Sequence, residues 1–575
     1  MPNSDFGPDE SPPAAGRAAL LRSPAVPTFA AVLTALLLML TIGYLGTSAG
    51  HSGVINLSWF VQYRDVLFGG GLPRHLPDMW SGLGGLDFFF YGHVPFFTAS
   101  MVSLVCSGCS DATAFATGGG IGVALSLLTF YLFARRFTAP PAALAGALAY
   151  AVMPYHLGVD WYWRQAAAEA FSYALLPVVA RGIDIVLRDR RCAPSLAVGV
   201  AVQLATHLPT SVLAAHVFGL TVLAWAIATG SPGRAGAAAL RLFGLSATGA
   251  MLAAPLWLPG VALLGEVSPE LLFSDHFVAT KWLVTLPDFT PPDRVTMILV
   301  LACFGVSAVP VLAGALLIRR TGTPARLWLI VPVMVASVLM TGLSRPLWEV
   351  GLLPKVQFPW RLMVFVEFSG ALGAALVAEA WRVRRRGRAM PMLLGAVLAA
   401  SVAFDVAAMA RRGPVLIGGA GIPRIGAAEY LPPRFLNAVM PYLPPGAPLF
   451  RIAAVVQDRA PGIAAQGDVR VLSRLARTTI VQPLTEGQTV AHVPVPWWPH
   501  WRARDAAGRL EIRPDPAGLM EIAAVPVRPL SGDIVIALPW LRVEKLAAAL
   551  ALLGALMLAA MLVRTRPWRR TGRPS

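Results

Sequence analysis

Twelve apolar runs, each long enough or nearly long enough to cross a bilayer, constrain this chain more than any other feature. They fall near 28–46, 113–134, 138–154, 168–187, 194–209, 211–230, 241–263, 296–318, 326–342, 360–381, 391–411 and 543–563. A bilayer core of about 30 Å takes about 20 helical residues, so 138–154 and 194–209 are short but usable. Inside lipid only helices and closed barrels satisfy their backbone, and runs of this length read as helices. The fold class that follows is an all-α polytopic membrane protein of about twelve transmembrane helices. Composition agrees: the 575 residues are 56% hydrophobic and 13% charged, against about 25% charged in a soluble domain.

Arginine tests the threading. The net charge of +17 rests on 47 basic residues, of which only Lys281, Lys355 and Lys545 are lysines. Arg135-Arg136, Arg188 to Arg191, Arg234 with Arg241, Arg319-Arg320, Arg382 to Arg388 and Arg564 to Arg570 fall at every second helix boundary. The positive-inside rule then makes every cluster and both termini cytoplasmic. The basic balance is thereby a property of topology and implies no nucleic-acid partner.

Residues 1–27, rich in Pro and Gly, read as a disordered cytoplasmic tail. The run 28–46 follows Arg17 and Arg22 as a signal peptide would, yet it is long enough to remain as the first span. The segment VPFFTASMVSLVCS, 94–107, would break the alternation if it crossed. At about 14 residues it reads as an interfacial or re-entrant helix in a large first outer loop, 47–112. The multi-span domain covers 28–411. Residues 412–542 change character, with many prolines and β-branched alternation, and read as a small β-rich periplasmic domain before the last helix. Within it, HWRARDAAGRLEIRP reads as two strands turning at Asp505 to Gly508. The last span, 543–563, leads into a basic cytoplasmic tail, 564–575. Of the four cysteines, Cys106 and Cys109 form CSGC, which suggests a local disulfide or two plain thiols rather than a redox centre.

The unusual polar residues gather on the outer side. The first loop holds Arg74, His75, Asp78, Asp87 and His93 among glycines and aromatics. The third span ends in MPYHLGVDWYWRQAAAEAFSYALLP, with Asp160, Arg164 and Glu169 at a helix entrance. Arg164 and Glu169 read equally as a structural ion pair and as a functional one. His207 lies in THLPTS, where it either caps the turn before Pro209 or faces a ligand. Trp497, Trp498 and Trp501 read as β-domain core or interface before they read as sugar-stacking rings. The acids of 264–295, Glu266 to Asp293, read as solvated loop charges. In VQFPWRL, Gln357, Trp360 and Arg361 stand at the start of a span. Pro359 and Trp360 fix the approach of Arg361 to the headgroup level, and guanidinium is the preferred fork for phosphate.

These same segments, with VPWWPHWRARDAAGRL near the end, resemble the bacterial membrane proteins labelled 6-pyruvoyl-tetrahydropterin-synthase-related. That resemblance covers most of 28–563, and the family is similar to the GT-C superfamily of integral-membrane glycosyltransferases. It implies the inner membrane, chemistry at the outer face, and a polyprenyl-phosphate sugar or lipid-linked glycan as partner. It also implies an outer-loop carboxylate as general base, with a basic residue or a divalent cation offsetting charge on the departing phosphate. The implied catalytic candidates are Asp78, Asp87, Asp160 and Glu169. The implied substrate-binding candidates are Arg74, His93, Arg164, His207, Gln357, Trp360 and Arg361. One departure stands out: the family places an Asp and then a His soon after the first span. Here that region reads AGHSGVINLSWF, with His51 and Asn56 the nearest polar stand-ins. Two functions follow: a transferase using a lipid-carried sugar, and a non-catalytic envelope protein binding or moving lipid-linked glycans. A solute transporter would need patterned ionisable residues in mid-span, and Glu367, Glu379 and Asp405 show no pattern in the sequence.

Overall fold

The computed structural model describes residues 25–48, 52–77, 84–267, 273, 277–285, 289–317, 323–384, 389–411, 415–416, 468–515 and 519–565. The first span, α1 (Ala25–Leu45), leads to a two-residue strand, β1 (Thr47–Ser48). The first loop carries α2 (Gly53–Phe68) and α3 (Val94–Val105), and then α4 (Asp111–Ala134) crosses. Ser110 caps α4 by accepting the Thr113 N–H at 3.2 Å, and Asp111 adds a favourable charge to its first turn. Cys106 and Cys109, between α3 and α4, are joined in a disulfide. At 12 residues, α3 is too short to cross, as the arginine alternation required.

Next come α5 (Pro140–Ala151), a π-helical stretch over Pro154–Trp163, α6 (Ala167–Ser172), α7 (Leu176–Asp184) and α8 (Pro194–Thr206). Then follow α9 (Leu208–Thr229), α10 (Pro232–Leu252), α11 (Ala254–Ala262), α12 (Arg294–Leu317), α13 (Thr323–Leu339), α14 (Met363–Arg384) and α15 (Ala389–Arg411). Among the described residues ten helical segments are long and apolar enough to cross a membrane. The other two expected runs form shorter helices, α8 of 13 residues and α13 of 17. The buried axis is α14. Gly373 on it lies so close to the Pro310 carbonyl of α12 that a side chain would not fit, the small-residue approach typical of helices in lipid.

A strand β2 (Val415–Leu416) pairs antiparallel with β1, joining the end of the first span to the segment after α15. The β-rich unit holds β3 (Val469–Arg474), β4 (Thr478–Pro483), β5 (Val490–Pro496), β6 (Arg502–Asp505), β7 (Gly508–Pro514), β8 (Leu519–Ala523) and β9 (Ile534–Ala537). They form one seven-stranded sheet in the order β3-β4-β9-β6-β7-β8-β5, curled so that its edge strands β3 and β5 meet. The expected hairpin is β6–β7: Asp505 accepts the N–H groups of Ala507 and Gly508 at 3.0 and 2.9 Å and takes a two-pronged pair from Arg528. That pairing holds the Asp505 carboxyl well below its usual range. The last helix, α16 (Arg542–Thr565), starts directly beneath the sheet, where Glu544 takes a forked pair from Arg477 at 2.9 and 2.8 Å.

The described arginine clusters collect at one end of the bundle. Arg136 bonds Asp184 and Asp189, Arg241 bonds the Arg190 carbonyl, and Glu379 accepts the Ala139 N–H. The β-rich unit and the first loop occupy the opposite end, in contact through Trp498 on Phe89 at 5.6 Å and Trp501 on His75 at 5.4 Å. This is a multi-span helical membrane protein with a small antiparallel β domain before its last helix.

Candidate functional site

Two polar clusters lie at the β-domain end. The first is built where the π-helical stretch ends. Glu367 of α14 accepts the N–H groups of Tyr155 and His156 at 2.6 and 3.0 Å and the Tyr173 hydroxyl at 2.8 Å. In the sequence, Glu367 and Asp405 follow no pattern. In the structure both pack on this stretch, Glu367 at its first turn and Asp405 against Gly158. Downstream, Gln165 has φ 53°, a conformation non-glycine residues seldom adopt. That kink turns Arg164 back toward Asp160 and Glu169.

The result is a closed network of four charges. Arg164 Nη1 donates to Asp160 Oδ1 at 2.7 Å and to Glu169 Oε2 at 3.1 Å. Arg361 Nε reaches the same Glu169 oxygen at 3.1 Å, and the Tyr155 hydroxyl donates to Oε1 at 2.8 Å. All four charged residues are buried. Two guanidiniums thus face two carboxyl groups.

Arg361 is anchored on two sides: Nε is held by Glu169 and Nη1 by the Val356 carbonyl at 2.5 Å. The reason is local. Gln357 has φ 72° and ψ −53°, and the Phe358 N–H bonds Val356 O at 2.9 Å. This is a γ-turn of the rare, strained hand. It presents the Val356 carbonyl to Arg361, so Gln357 acts through its backbone. Trp360 and Phe358 stack at 4.4 Å against Trp282, and Arg361 lies over Phe358. Two of the three non-glycine residues with positive φ among the described residues, Gln165 and Gln357, therefore flank this cluster; strain of that kind gathers at functional sites.

Asn56 explains the missing first-loop acid. Its Nδ2 donates to the Gln165 carbonyl at 2.5 Å, and the Ser52 N–H donates to Arg164 O at 3.1 Å. An ionised Asp at 56 would oppose that carbonyl rather than bond it. Asn56 thus fastens the kink, and His51 lies outside the described residues. Asp65 pairs with Arg64 at 2.9 Å, apart from this network.

The second cluster lies in the first loop. Arg74 Nη1 donates to Phe88 O at 3.1 Å and to His93 Nε2 at 3.2 Å, and Nη2 donates to the Pro255 carbonyl. His93 Nε2 also lies 3.0 Å from the Phe88 carbonyl, and its Nδ1 faces the Tyr63 hydroxyl at 3.2 Å. Burial holds His93 well below its ordinary value and pushes Arg74 down to about 10. Asp87 is buried beside the Trp59 indole. Neither of its carboxylate oxygens makes a well-formed hydrogen bond among the described residues. Burial pushes its carboxyl from 3.8 up to about 7. Asp78 lies outside the described residues.

A helix corner joins the clusters. His207 separates α8 from α9, and Pro209 has no N–H to give the Ala205 carbonyl. That carbonyl instead accepts the His93 N–H at 2.9 Å. Gly92 packs on the Thr206 carbonyl too closely for any side chain. His207 bonds Thr210 at 2.7 Å and stands in the field of Arg361 and Glu169. Tyr91, which bonds Asp87 O through its N–H at 2.9 Å, feels the same charges.

Below the corner, α7 to α10 enclose a cavity of about 600 Å³ lined by residues such as Leu196, Val200, Ala214, Phe218 and Leu242. Gln203, one turn before His207, lines its upper part. Its amide is buried and makes no hydrogen bond among the described residues. The sequence offered Gln203 as a lone amide in an apolar helix, a signal that only burial turns into a question. Tyr155 and Glu367 were likewise visible as letters but not as partners. Among the described residues no group of three metal-ligating side chains comes together.

No protein-family model and no curated protein matches the chain. Solved structures do. A mycobacterial arabinofuranosyltransferase, AftD, aligns at 19% identity and TM-score 0.43 over 66% of this chain and 27% of its own length. A variant of that enzyme aligns at 17% identity and TM-score 0.46 over 69% and 29%. The oligosaccharyltransferase of Archaeoglobus fulgidus aligns at 13% identity and TM-score 0.44, over 68% of this chain and 57% of its own. This chain therefore spans less than a third of the mycobacterial enzyme and under two thirds of the archaeal one.

Proposed function

We propose that this protein is an inner-membrane glycosyltransferase that takes a sugar from a polyprenyl-phosphate carrier at the periplasmic face and modifies an envelope glycan. One observation carries the reading. An apolar cavity between helices ends at a corner where the Gln203 amide has no hydrogen bond among the described residues and His207 meets the field of Arg361 and Glu169. A prenyl chain lying in the cavity brings its phosphate to that corner. The disulfide Cys106–Cys109 at the same end fits an oxidising compartment, and the arginine-rich end fits the cytoplasm. The family resemblance of the sequence supports the same assignment.

In this scheme the acceptor hydroxyl forms the new glycosidic bond at the anomeric carbon as the bond to the phosphate oxygen breaks. The phosphate leaves with the electron pair beside Arg361. Of the four candidate carboxylates, Asp160 and Glu169 serve the arginines. Asp87, whose proton affinity is near neutrality, takes the acceptor's proton. No step needs a metal-binding cluster, and a divalent cation bound with the substrate remains compatible with it.

Purified protein in nanodiscs, supplied with a pool of polyprenyl-phosphate sugars, tests the reading through transfer and binding. Arg361→Lys should weaken binding of the lipid-linked phosphate and Arg361→Gln weaken it further. The loss should be on the order of 1.5–3 kcal/mol, or about 10- to 150-fold. Wild-type binding in both variants would remove Arg361 from the phosphate site. A non-catalytic carrier or sensor of lipid-linked glycans is the second reading, favoured by the saturation of Glu169 by two arginines and a tyrosine. Binding without transfer by the wild type selects it.

A further inference from the structure

The WWPHW segment at 497–501 is only half absorbed by the β-domain core. Trp498 and Trp501 are buried, whereas Trp497 keeps part of its indole exposed. Together with Pro499, Leu510, Ile512 and Val525 they line a cavity of about 420 Å³ whose rim is Arg502, Arg509 and Glu511. That size lies in the range of small-molecule sites, about 300–1,000 Å³. Arg502 is held in place, its Nη1 donating to Pro499 O at 2.8 Å and Trp501 O at 2.7 Å. Arg509 and Glu511 are two apart on β7 and so share one face. The Trp498 indole N–H is buried and has no acceptor among the described residues. A buried donor left in this way is costly unless something supplies an acceptor.

We propose that this pocket binds a neutral glycan segment, with a sugar ring against Trp497 and its hydroxyls between Arg502, Arg509 and Glu511. The residue types select that class. An indole face offers an apolar platform of large area and low entropy cost, which suits the C–H face of a sugar ring. Hydroxyls both donate and accept, and the rim supplies two guanidinium donors with one carboxylate acceptor. An anion would gain from the arginines but meet Glu511 directly, so a phosphate or a uronate is the poorer fit. Behind the lining tryptophans is the first loop: Trp498 rests on Phe89 and Trp501 on His75, in the segment that carries Arg74, Asp87 and His93. A glycan held here lies one layer of rings from that cluster. The inference goes beyond transfer and does not depend on it, because a glycan-binding protein without catalysis would use the pocket equally.

The test is retention on an array of neutral and acidic oligosaccharides by full-length protein in nanodiscs, with inorganic phosphate as soluble competitor. Wild type should retain a subset of neutral oligosaccharides and keep them in phosphate. Trp497→Ala should lose about tenfold in affinity and Glu511→Gln several-fold. Glu511 is exposed, so its variant decides the matter should Trp497→Ala lose thermal stability. Arg361→Gln should retain the same glycans, which separates this pocket from the transfer site. Absence of neutral glycan binding, retention of acidic glycans alone, or wild-type retention by Glu511→Gln together with a folded Trp497→Ala would each overturn the proposal.

Discussion

The two buried polar clusters are neighbours built on opposite principles. Around Glu169, two guanidiniums face two carboxyl groups and Tyr155 fills the second Glu169 oxygen, with Asp160 Oδ2 alone left without a hydrogen bond among the described residues of that cluster. Around Arg74, a buried cation has carbonyls and a neutral imidazole as its hydrogen-bond partners among the described residues, and Asp87 has no well-formed hydrogen bond among them. Burying charge without an opposite charge is unfavourable by several kcal/mol. The first cluster can therefore be maintained for stability and geometry alone, whereas the second is retained against stability. Of the two, the one that is poorly satisfied is the one with chemistry left to offer.

Glu169→Ala should give the largest effect, leaving two guanidiniums buried with a single carboxylate, at a cost of about 3–5 kcal/mol. Thermal unfolding in detergent or nanodiscs measures it. A simple Arg164–Glu169 pair would tolerate joint apolar replacement. The four-charge network should not, because Asp160 and Arg361 would remain. Unchanged stability of the single variant would end the contrast.

Asp87→Asn should do the reverse. The folded protein holds its proton between 3.8 and about 7, while the unfolded chain releases it from about 4. Stability therefore declines as pH rises through that window and levels off above 7. The Asn variant should escape the decline, unfolding at higher temperature than the parent at pH 8, by at most on the order of 4 kcal/mol, with the difference gone below pH 4. Transfer by the parent should rise through the same window and be lost in the variant. A parent stability independent of pH from 4 to 8 would show that Asp87 is solvated.

Smaller effects sharpen the boundary between the clusters. Gln203→Leu should stabilise the fold by about 1–3 kcal/mol by removing an unbonded buried amide, yet weaken binding of lipid-linked phosphate. Opposite signs in those two measurements mark a headgroup contact, and a loss in both marks packing. Gly92→Ala should cost about 1–3 kcal/mol by pushing the first loop off the Thr206 carbonyl, read by thermal unfolding. Arg345→Ala, which breaks an exposed pair at 3.2 Å, should cost under about 1 kcal/mol.

What the sequence disclosed follows from what lipid demands. Helices, the short α3 and the alternation of arginine needed only length and charge, and the β6–β7 turn needed only Asp505 and Gly508. The residues Arg164 and Glu169 were close enough in sequence to suggest a pair. The contact of Arg361 with Glu169 was not legible, because Glu169 lies 192 residues away and the γ-turn at Gln357 carries no mark in VQFPWRL. Asn56 was visible as a substitution, while its bond to the Gln165 carbonyl depends on a positive φ that glutamine does not advertise. Long-range partners and strained backbone are set by tertiary contact, and no local pattern encodes them.

The Glu367 carboxylate also bears on biogenesis. A buried acid near the end of a span is poorly accepted by lipid until donors reach it. Its donors Tyr155, His156 and Tyr173 are made first, the acid following 212 residues after Tyr155. When α14 emerges from the ribosome, the backbone N–H groups that the π-helical stretch offers at its first turn are already in the membrane. The order of synthesis thus delivers the acid to a waiting receptor, and a chain permuted to begin at α14 would have to insert that helix with its carboxylate still unbonded.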